Sequence, residues 1–156
     1  KNIPHKADTR NLKPGESLSV DLCGPMRITA IDGERYTSII HCLATGYNNI
    51  RTVKTKGEST DHIIDYTILI ETQLDLKVKR IHSDNGKEYN HKRLLAFCVE
   101  RGILTSFTHA YTAHQNGTSE RIHGTLFGGV RADLAPFPSS YQDLWAYSDR
   151  NTESHN

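Results

Sequence analysis

The chain has 156 residues, enough for one domain and short for two. Its formal net charge of +1 names no partner class, although a local basic patch would still suit nucleic acid. No apolar run approaches the roughly 18–20 residues of a membrane span, and the first residues show no signal-peptide core.

Three strands are predicted after a polar stretch, Lys1 to Gly15, that is typical of a linker. The apolar/polar alternation over Leu18–Cys23 indicates a half-buried strand with Asp21 on its polar face. A hairpin-turn signal at Asp32-Gly33 separates it from a buried strand, Tyr36–Ala44. A third strand, Asn49–Lys54, follows a break at Gly46.

Helices and strands alternate in the rest of the chain. In order, the predicted elements are a helix that begins within Gly57–Asp61, a strand Val78–Ser83, a helix His91–Arg101, a strand Ile103–Phe107, a polar loop Ala110–Gly117, a helix from Thr118 to about Ala135 and a last helix Ser140–Tyr147. Helical spacing places these side chains on buried faces: Ile63, Tyr66, Ile70, Leu74, Leu94, Leu95, Cys98, Val99, Ile122, Leu126 and Val130. This order predicts one α/β domain with a mixed sheet.

Three glycines, Gly124, Gly128 and Gly129, interrupt the predicted helix that begins at Thr118. Each costs about 1 kcal/mol relative to alanine in a helix interior. Either they permit a close backbone approach or the helix frays early.

Three carboxylates stand at element ends and suit metal-ion chemistry. Asp21 lies in a strand, Asp84 ends a strand at the turn Asn85-Gly86, and Glu120 sits in the first turn of a helix, with thirty-five residues between Asp84 and Glu120. Mg²⁺ takes oxygen ligands, and two such ions can clamp the attacking and leaving oxygens of an in-line displacement. Taken singly, each acid also fits an ordinary role on a strand surface, in a turn or at a helix start.

Basic residues surround the second carboxylate. Residues 77–93 hold six lysines and arginines against two acids, a local charge of +4. This pattern fits either a nucleic-acid contact or a solvated surface. His82, two residues before Asp84, fits either a general base or a structural histidine.

The cysteines Cys23, Cys42 and Cys98 are far apart and form no Cys-x-x-Cys pair. They therefore suggest neither a disulfide framework nor a zinc site. We expect reduced, buried thiols in an intracellular protein.

Three motifs together resemble a known family: VDLCGPM around Asp21, HSDNGKEY around Asp84 and QNGTSERIHGTL around Glu120. They are similar to the catalytic core of copia-type long-terminal-repeat retrotransposon integrases, within the retroviral integrase superfamily. The resemblance covers roughly Ser17 to Tyr147 and includes the spacing from Asp84 to Glu120. The chain departs from the family pattern at Ala110 and Ala113, where prolines are frequent, and at His123-Gly124, where Asn-Arg is frequent.

The resemblance implies a ribonuclease H-like fold, a five-stranded mixed sheet with helices on both faces. It implies that residues 1–16 are a linker from an amino-terminal zinc module, residues 17–147 the core, and residues 148–156 a truncated tail. It also implies location in the nucleus and in a cytoplasmic virus-like particle.

The implied activity is a DNA integrase, a polynucleotidyl transferase that joins retroelement DNA 3′ ends to target DNA. Asp21, Asp84 and Glu120 are then the catalytic residues and the ligands of two Mg²⁺ ions, for which Mn²⁺ is an expected substitute. The implied partners are double-stranded DNA and further copies of the full protein, with no membrane. The expected DNA contacts are Lys87, His114, Gln115, Asn116 and Arg121. Two alternatives stay open: another nuclease or transposase of this fold, or a repurposed core that binds DNA or protein without chemistry.

Overall fold

The computed structural model describes residues 12–83, 91–107, 124–125, 128, 135–136 and 138–146. In chain order its elements are strands β1 (Ser17–Cys23), β2 (Tyr36–Cys42) and β3 (Asn48–Val53), helix α1 (Lys56–Leu74), strand β4 (Arg80–Ser83), helix α2 (His91–Arg101), strand β5 (Leu104–Phe107) and a 3₁₀ helix (Ser139–Leu144). The predicted order is confirmed from β1 to β5, with element ends differing by one or two residues at most positions. The predicted loop Ala110–Gly117 and most of the predicted helix from Thr118 to about Ala135 lie outside the described residues. The last helix was expected over Ser140–Tyr147, and its first part is a 3₁₀ helix.

The five strands form one mixed sheet in the order β3-β2-β1-β4-β5, so β1 is the central strand. β1 pairs antiparallel with β2, and β2 pairs antiparallel with β3. β4 is parallel to β1 on its other side, and β5 is parallel to β4. The predicted fold class, a five-stranded mixed sheet of the ribonuclease H type, is confirmed.

One face of the sheet carries the main core. Leu18, Val20 and Leu22 of β1 are all at most 6% exposed. They pack in one cluster with side chains of both helices, including Ile63 of α1 and Leu94 of α2. The strand alternation therefore directs every second side chain of β1 into the core and leaves Ser19, Asp21 and Cys23 on the opposite face.

Two of the predicted core positions are wrong. Leu74 is 58% exposed because it is the last residue of α1, and Asp75 then turns the chain through a left-handed conformation with φ of 50°. Val99 is 77% exposed, whereas its neighbour Cys98 is fully buried. Adjacent helical residues point about 100° apart, so a narrow stripe through Leu94 and Cys98 leaves Val99 in solvent.

A buried polar cluster joins α1 to the sheet, and no sequence pattern predicted it. His62 is fully buried, with Nε2 2.6 Å from Asn49 Oδ1 and Nδ1 2.9 Å from Ser38 Oγ. Ser38 Oγ also lies 3.0 Å from Ser59 Oγ. Burial, with a smaller contribution from Arg51, lowers the pKa of His62 to about 3. The imidazole is therefore neutral at physiological pH, donating to Asn49 and accepting from Ser38.

The first turn of α1 is closed by side chains. The helix begins at Lys56, one residue before the predicted start, because Thr55 acts as the amino-terminal cap. Thr55 Oγ1 accepts the backbone N–H of Glu58 at 3.3 Å, and Glu58 Oε2 accepts the backbone N–H of Lys54 at 2.9 Å. These bonds satisfy donors that a helix start would otherwise leave unpaired.

The stretch predicted as a linker ends in contact with the sheet. Gly15 is buried, and its N–H donates to Cys42 Sγ at 3.4 Å. The carbonyl of Glu16 accepts the N–H groups of Lys79 and Arg80. Residues up to position 11 lie outside the described ranges.

The cysteines are free thiols, as expected. Cys42 and Cys98 are buried, and burial raises the pKa of Cys98 to about 11. Cys23 differs from the prediction because it is only half-buried, on the open face of β1.

The carboxy-terminal segment docks through Trp145, whose indole N–H donates to the carbonyl of Ile28 at 2.8 Å. Trp145 and Ala146 pack with Ala30 in a second, small apolar cluster. Gly124 and Gly128 are helical and exposed, and a Cβ built on either would meet no atom within 4 Å. A close backbone approach therefore does not explain these two glycines. No helix within the described ranges is long and apolar enough to span a membrane.

Candidate active site

Asp21 lies on the central strand, on the face opposite the main core. Its side chain is half-buried, and Oδ1 accepts the backbone N–H of Leu22 at 2.8 Å. Its cross-strand partner on β2 is Ile39, which is 2% exposed. The strand pattern predicted this orientation, and the structure confirms it.

The pairing of β1 with β4 relates the sequence positions of the first and second carboxylates. Within the described residues, the last pair of this parallel register is Val20 opposite Ser83, a side chain that is 1% exposed. Asp21 and Asp84 are the residues that follow these two in the chain. The carboxyl ends of parallel strands meet at one edge of a sheet, which is where α/β proteins usually bind their ligands.

A glycine fixes the way the chain leaves β1. Gly24 has φ of +125°, and a Cβ built on it would lie 2.6 Å from the Arg35 carbonyl oxygen and 2.9 Å from Tyr36 Cδ1. Two residues later, the N–H of Met26 donates to the same carbonyl at 2.7 Å. Any larger residue at position 24 would push this turn away from β2, so the glycine holds the segment just beyond Asp21 against the sheet.

A row of polar side chains crosses all five strands beside the Asp21 position, and sequence reasoning did not foresee it. The register aligns these residues, all half-buried: Asn48, His41, Ser19, His82 and Ser106. His41 Nδ1 lies 2.8 Å from Asn48 Oδ1. Each residue stands at a polar position in the alternation of its own strand. Only the strand order shows that these positions lie side by side.

His82 belongs to this row, and its Nδ1 lies 3.0 Å from Ser106 Oγ on β5. This contact supports the structural interpretation of His82 over the general-base interpretation. The hydrogen bond links β4 to β5 and holds the ring along the sheet.

The basic residues of the central motif are spread over different parts of the molecule. Lys77, Lys79 and Arg80 lie at the amino end of β4, the edge opposite the carboxyl end of β1. Lys79 Nζ pairs with Glu16 at 2.7 Å. Arg93 pairs with Asp61 of α1. These four cations therefore do not form the single patch that their sequence spacing suggested.

The remaining predicted site residues lie outside the described ranges: Asp84, Glu120, Lys87, His114, Gln115, Asn116 and Arg121. Their roles remain predictions. Within the described ranges, no three His, Cys, Asp or Glu side chains are grouped closely enough to hold a metal ion, and those ranges contain only one of the three predicted ligands.

Asp21 itself fits a divalent ion. It offers a half-buried carboxylate, the ligand type that Mg²⁺ prefers, on the face of the central strand opposite the main core. Its bond to the Leu22 N–H orients the carboxylate.

Two curated proteins share sequence similarity with the chain. It is 32% identical over 123 residues to the retrovirus-related Pol polyprotein from transposon TNT 1-94 of Nicotiana tabacum. It is 28% identical over 123 residues to that from transposon RE2 of Arabidopsis thaliana. Each match covers 78% of this chain but only 9% and 8% of the relatives, so the chain spans under a tenth of their length. No protein-family model matches the chain.

Solved structures share the fold. The catalytic core of HTLV-2 integrase, in a structure with magnesium, superposes with a TM-score of 0.64 at 17% identity, covering 94% of this chain and 92% of that one. The catalytic core of BIV integrase gives a TM-score of 0.57 at 14% identity, covering 91% and 86%.

The chain is related to the retrovirus-related Pol polyproteins of plant transposons, and it has the fold of retroviral integrase catalytic cores. This sequence similarity and this fold both support a copia-type integrase core.

Proposed function

We propose that this integrase core joins retroelement DNA ends to target DNA, with Asp21, Asp84 and Glu120 as the ligands of two Mg²⁺ ions. The observation that carries the proposal is the parallel register of β1 and β4, in which Val20 lies opposite Ser83, the residues directly before Asp21 and Asp84 in the sequence. Two carboxylates that follow paired positions on neighbouring parallel strands suit a shared ion. Glu120 completes the site by the family spacing.

The reaction is a transesterification at phosphorus. A 3′-hydroxyl of the element DNA forms a new P–O bond with a target phosphodiester and loses its proton. The bond from that phosphorus to the target 3′-oxygen breaks, and this oxygen leaves as the new strand end. No external energy source is needed because one phosphodiester replaces another.

The bound Mg²⁺ ions would supply charge stabilisation for the attacking and leaving oxygens. The protein's own contribution is positioning. The Leu22 N–H holds the Asp21 carboxylate, and Gly24 keeps the following turn close to the sheet. Lys87, His114, Gln115, Asn116 and Arg121 are proposed to contact the DNA, mostly through phosphates, which position a duplex without reading its sequence.

Joining two DNA ends to one target requires more than one copy of the full protein, so we propose a homo-oligomer. The HTLV-2 core in the solved structure is described as dimeric.

The test is a strand-transfer assay with the parent protein, Mg²⁺ and oligonucleotide ends. Asp21→Asn should lower the joining rate roughly 10³-fold, since several kcal/mol of charge stabilisation are lost and each 1.36 kcal/mol is tenfold. Asp75→Asn is the matched control. Asp75 is exposed in a left-handed turn after α1, a conformation that asparagine tolerates.

Each contrary result identifies one of the alternatives. Metal-dependent cleavage without joining would indicate a nuclease of this fold. DNA binding with no metal-dependent chemistry would indicate a repurposed core. Equal joining by wild type and Asp21→Asn would refute the assignment of Asp21.

A further inference from the structure

The edge of the sheet at the carboxyl end of β1 carries exposed cations. Arg35 precedes β2, Lys54 follows β3, and Lys56 begins α1; all three side chains are exposed. None of the ion pairs within the described ranges involves them. By contrast, four other cations pair with acids there: Arg51, Lys79, Arg93 and Arg101.

These cations lie near one another at this end of the sheet, and we call Arg35, Lys54 and Lys56 the carboxyl-edge cluster. The N–H of Arg35 donates to the Val53 carbonyl at 3.0 Å, which places Arg35 beside the start of the β3–α1 turn. The Lys54 side chain runs past Gly33, and the Lys56 ammonium lies 6.0 Å from the Tyr36 ring centroid. The cluster thus spans two turns at one end of the sheet.

The neighbouring acids neutralise this surface only in part. Glu34 is 5% exposed, so its carboxylate forms little of the outer surface. Glu58 is half-buried, and its Oε2 is engaged by the Lys54 backbone N–H at 2.9 Å. Asp32 is an exposed acid of the hairpin turn, and exposed Arg27 lies on the adjoining loop. The exposed charges are therefore mostly positive.

The register gives the distance from the cluster to Asp21. Asp21 lies opposite Ile39 of β2, and Arg35 precedes Ile39 by four residues. At about 3.3 Å per residue this is roughly 13 Å along the strand. Phosphates of one DNA strand rise about 3.4 Å per nucleotide, so the cluster sits roughly four base steps from the Asp21 position.

We infer that the carboxyl-edge cluster is a DNA-backbone contact that holds a duplex about four base steps from the reacting phosphate. The inference rests on the proposed function for the position of that phosphate. It adds residues of the β2 start and the β3–α1 turn to the DNA-binding surface. The chemistry it recognises is a phosphodiester backbone, whether of the element end or of the target.

The test measures the salt dependence of DNA binding by the 156-residue chain. The test variant replaces the cluster with glutamine: Arg35→Gln, Lys54→Gln and Lys56→Gln. The matched control removes the same charge from three exposed cations at the opposite edge: Lys13→Gln, Lys77→Gln and Arg80→Gln. Melting temperatures verify folding, and a charge-preserving variant, Lys54→Arg with Lys56→Arg, should bind like wild type.

Each phosphate contact contributes about 0.9 to the slope of log K against log salt, so the cluster variant should lose roughly 2.7 from the slope. Its affinity near 0.1 M salt should fall roughly tenfold or more. The control should keep most of its slope. Equal loss in both variants would show a general charge effect and overturn the inference, as would an unchanged slope in the cluster variant.

Two DNA forms identify the source of the phosphates. A short blunt-ended duplex offers ends, whereas a closed-circular plasmid offers only continuous duplex. Loss of slope on both forms indicates a target-type contact, and loss on the ended duplex alone indicates an element-end contact; either supports the cluster. A normal slope in the cluster variant, with joining still dependent on Asp21, would sink this inference and leave the proposed function standing. A reduced slope in the cluster variant, with joining that does not depend on Asp21, would support the cluster and overturn the proposed function.

Discussion

The two faces of β1 show how one strand serves stability and chemistry separately. On one face, Leu18, Val20 and Leu22 are buried under α1 and α2. On the other face, Ser19 and Asp21 are half-buried. Ser19 belongs to a row of polar side chains across the sheet, whereas Asp21 lies opposite an apolar side chain of β2. A one-residue step changes the environment completely because successive side chains point to opposite faces.

The difference teaches that the two faces of β1 depend on different contacts. The face with Asp21 also has buried neighbours, because Ile39 and Thr37 of β2, opposite Asp21 and Cys23, are at most 2% exposed. On the core face, a polar cluster around His62 is held by hydrogen bonds on both ring nitrogens.

The largest expected contrast is between adjacent residues of β1. Leu18→Ala should lower the free energy of unfolding by about 2–5 kcal/mol, because a fully buried leucine leaves a cavity. Ser19→Ala, on the open face, should change it by less than about 1 kcal/mol. Urea unfolding of both variants measures the contrast, and similar losses would contradict the two-face description.

The second contrast concerns pH. His62 has a folded pKa of about 3 against 6.5 for the free side chain, because burial disfavours its charged form. Between these values the unfolded chain binds a proton that the folded protein does not. Stability from this group is therefore full above about pH 6.5 and falls as the pH is lowered toward 3, by up to about 1.4 kcal/mol per unit.

The measurement is the free energy of unfolding as a function of pH for wild type and His62→Gln. The variant should be less stable at pH 7 but have a flatter profile below 6.5. The charged groups that act on His62, Arg51 and Asp65, are present in both proteins. His41→Gln removes a half-buried histidine of the open face and is the matched control. Identical slopes in wild type and His62→Gln would refute the burial argument.

The smallest effect tests the first turn of α1, which packs on the core face. Thr55→Ala removes the cap and should cost about 1 kcal/mol. Thr72→Ala, at an exposed position in the same helix, should be neutral or slightly stabilising because alanine is the better helix former. Thermal unfolding compares the stabilities of the two variants. A Thr55→Ala variant as stable as wild type would mean that the cap bond contributes nothing to stability.

The sequence predicted most elements because their signals are local. The alternation over Leu18–Cys23 and the helical spacing of Leu94 and Cys98 each reflect burial of one face. The predictions that Val99 and Leu74 are buried were wrong because they also relied on local spacing. Spacing alone does not say how wide a buried stripe is or where a helix leaves the core.

Long-range features could not be predicted in this way. The row from Asn48 to Ser106 needs the strand order and register, which periodicity does not contain. The His62 cluster joins residues of β2, β3 and α1 that look like ordinary surface residues in sequence. For the site, the strand alternation correctly predicted which face of β1 carries Asp21, whereas the metal-binding roles of Asp21, Asp84 and Glu120 remain predictions.

The central claim is that Asp21 shares metal ions with Asp84 and Glu120. The most direct measurement is the melting temperature of the 156-residue chain with and without Mg²⁺. A ligand that binds the folded state stabilises by mass action, about 2.7 kcal/mol at one hundred times the dissociation constant. The account predicts a Mg²⁺-dependent rise in wild type and in Asp75→Asn, and its loss in Asp21→Asn, Asp84→Asn and Glu120→Gln. An equal rise in wild type and in all three carboxylate variants would contradict it.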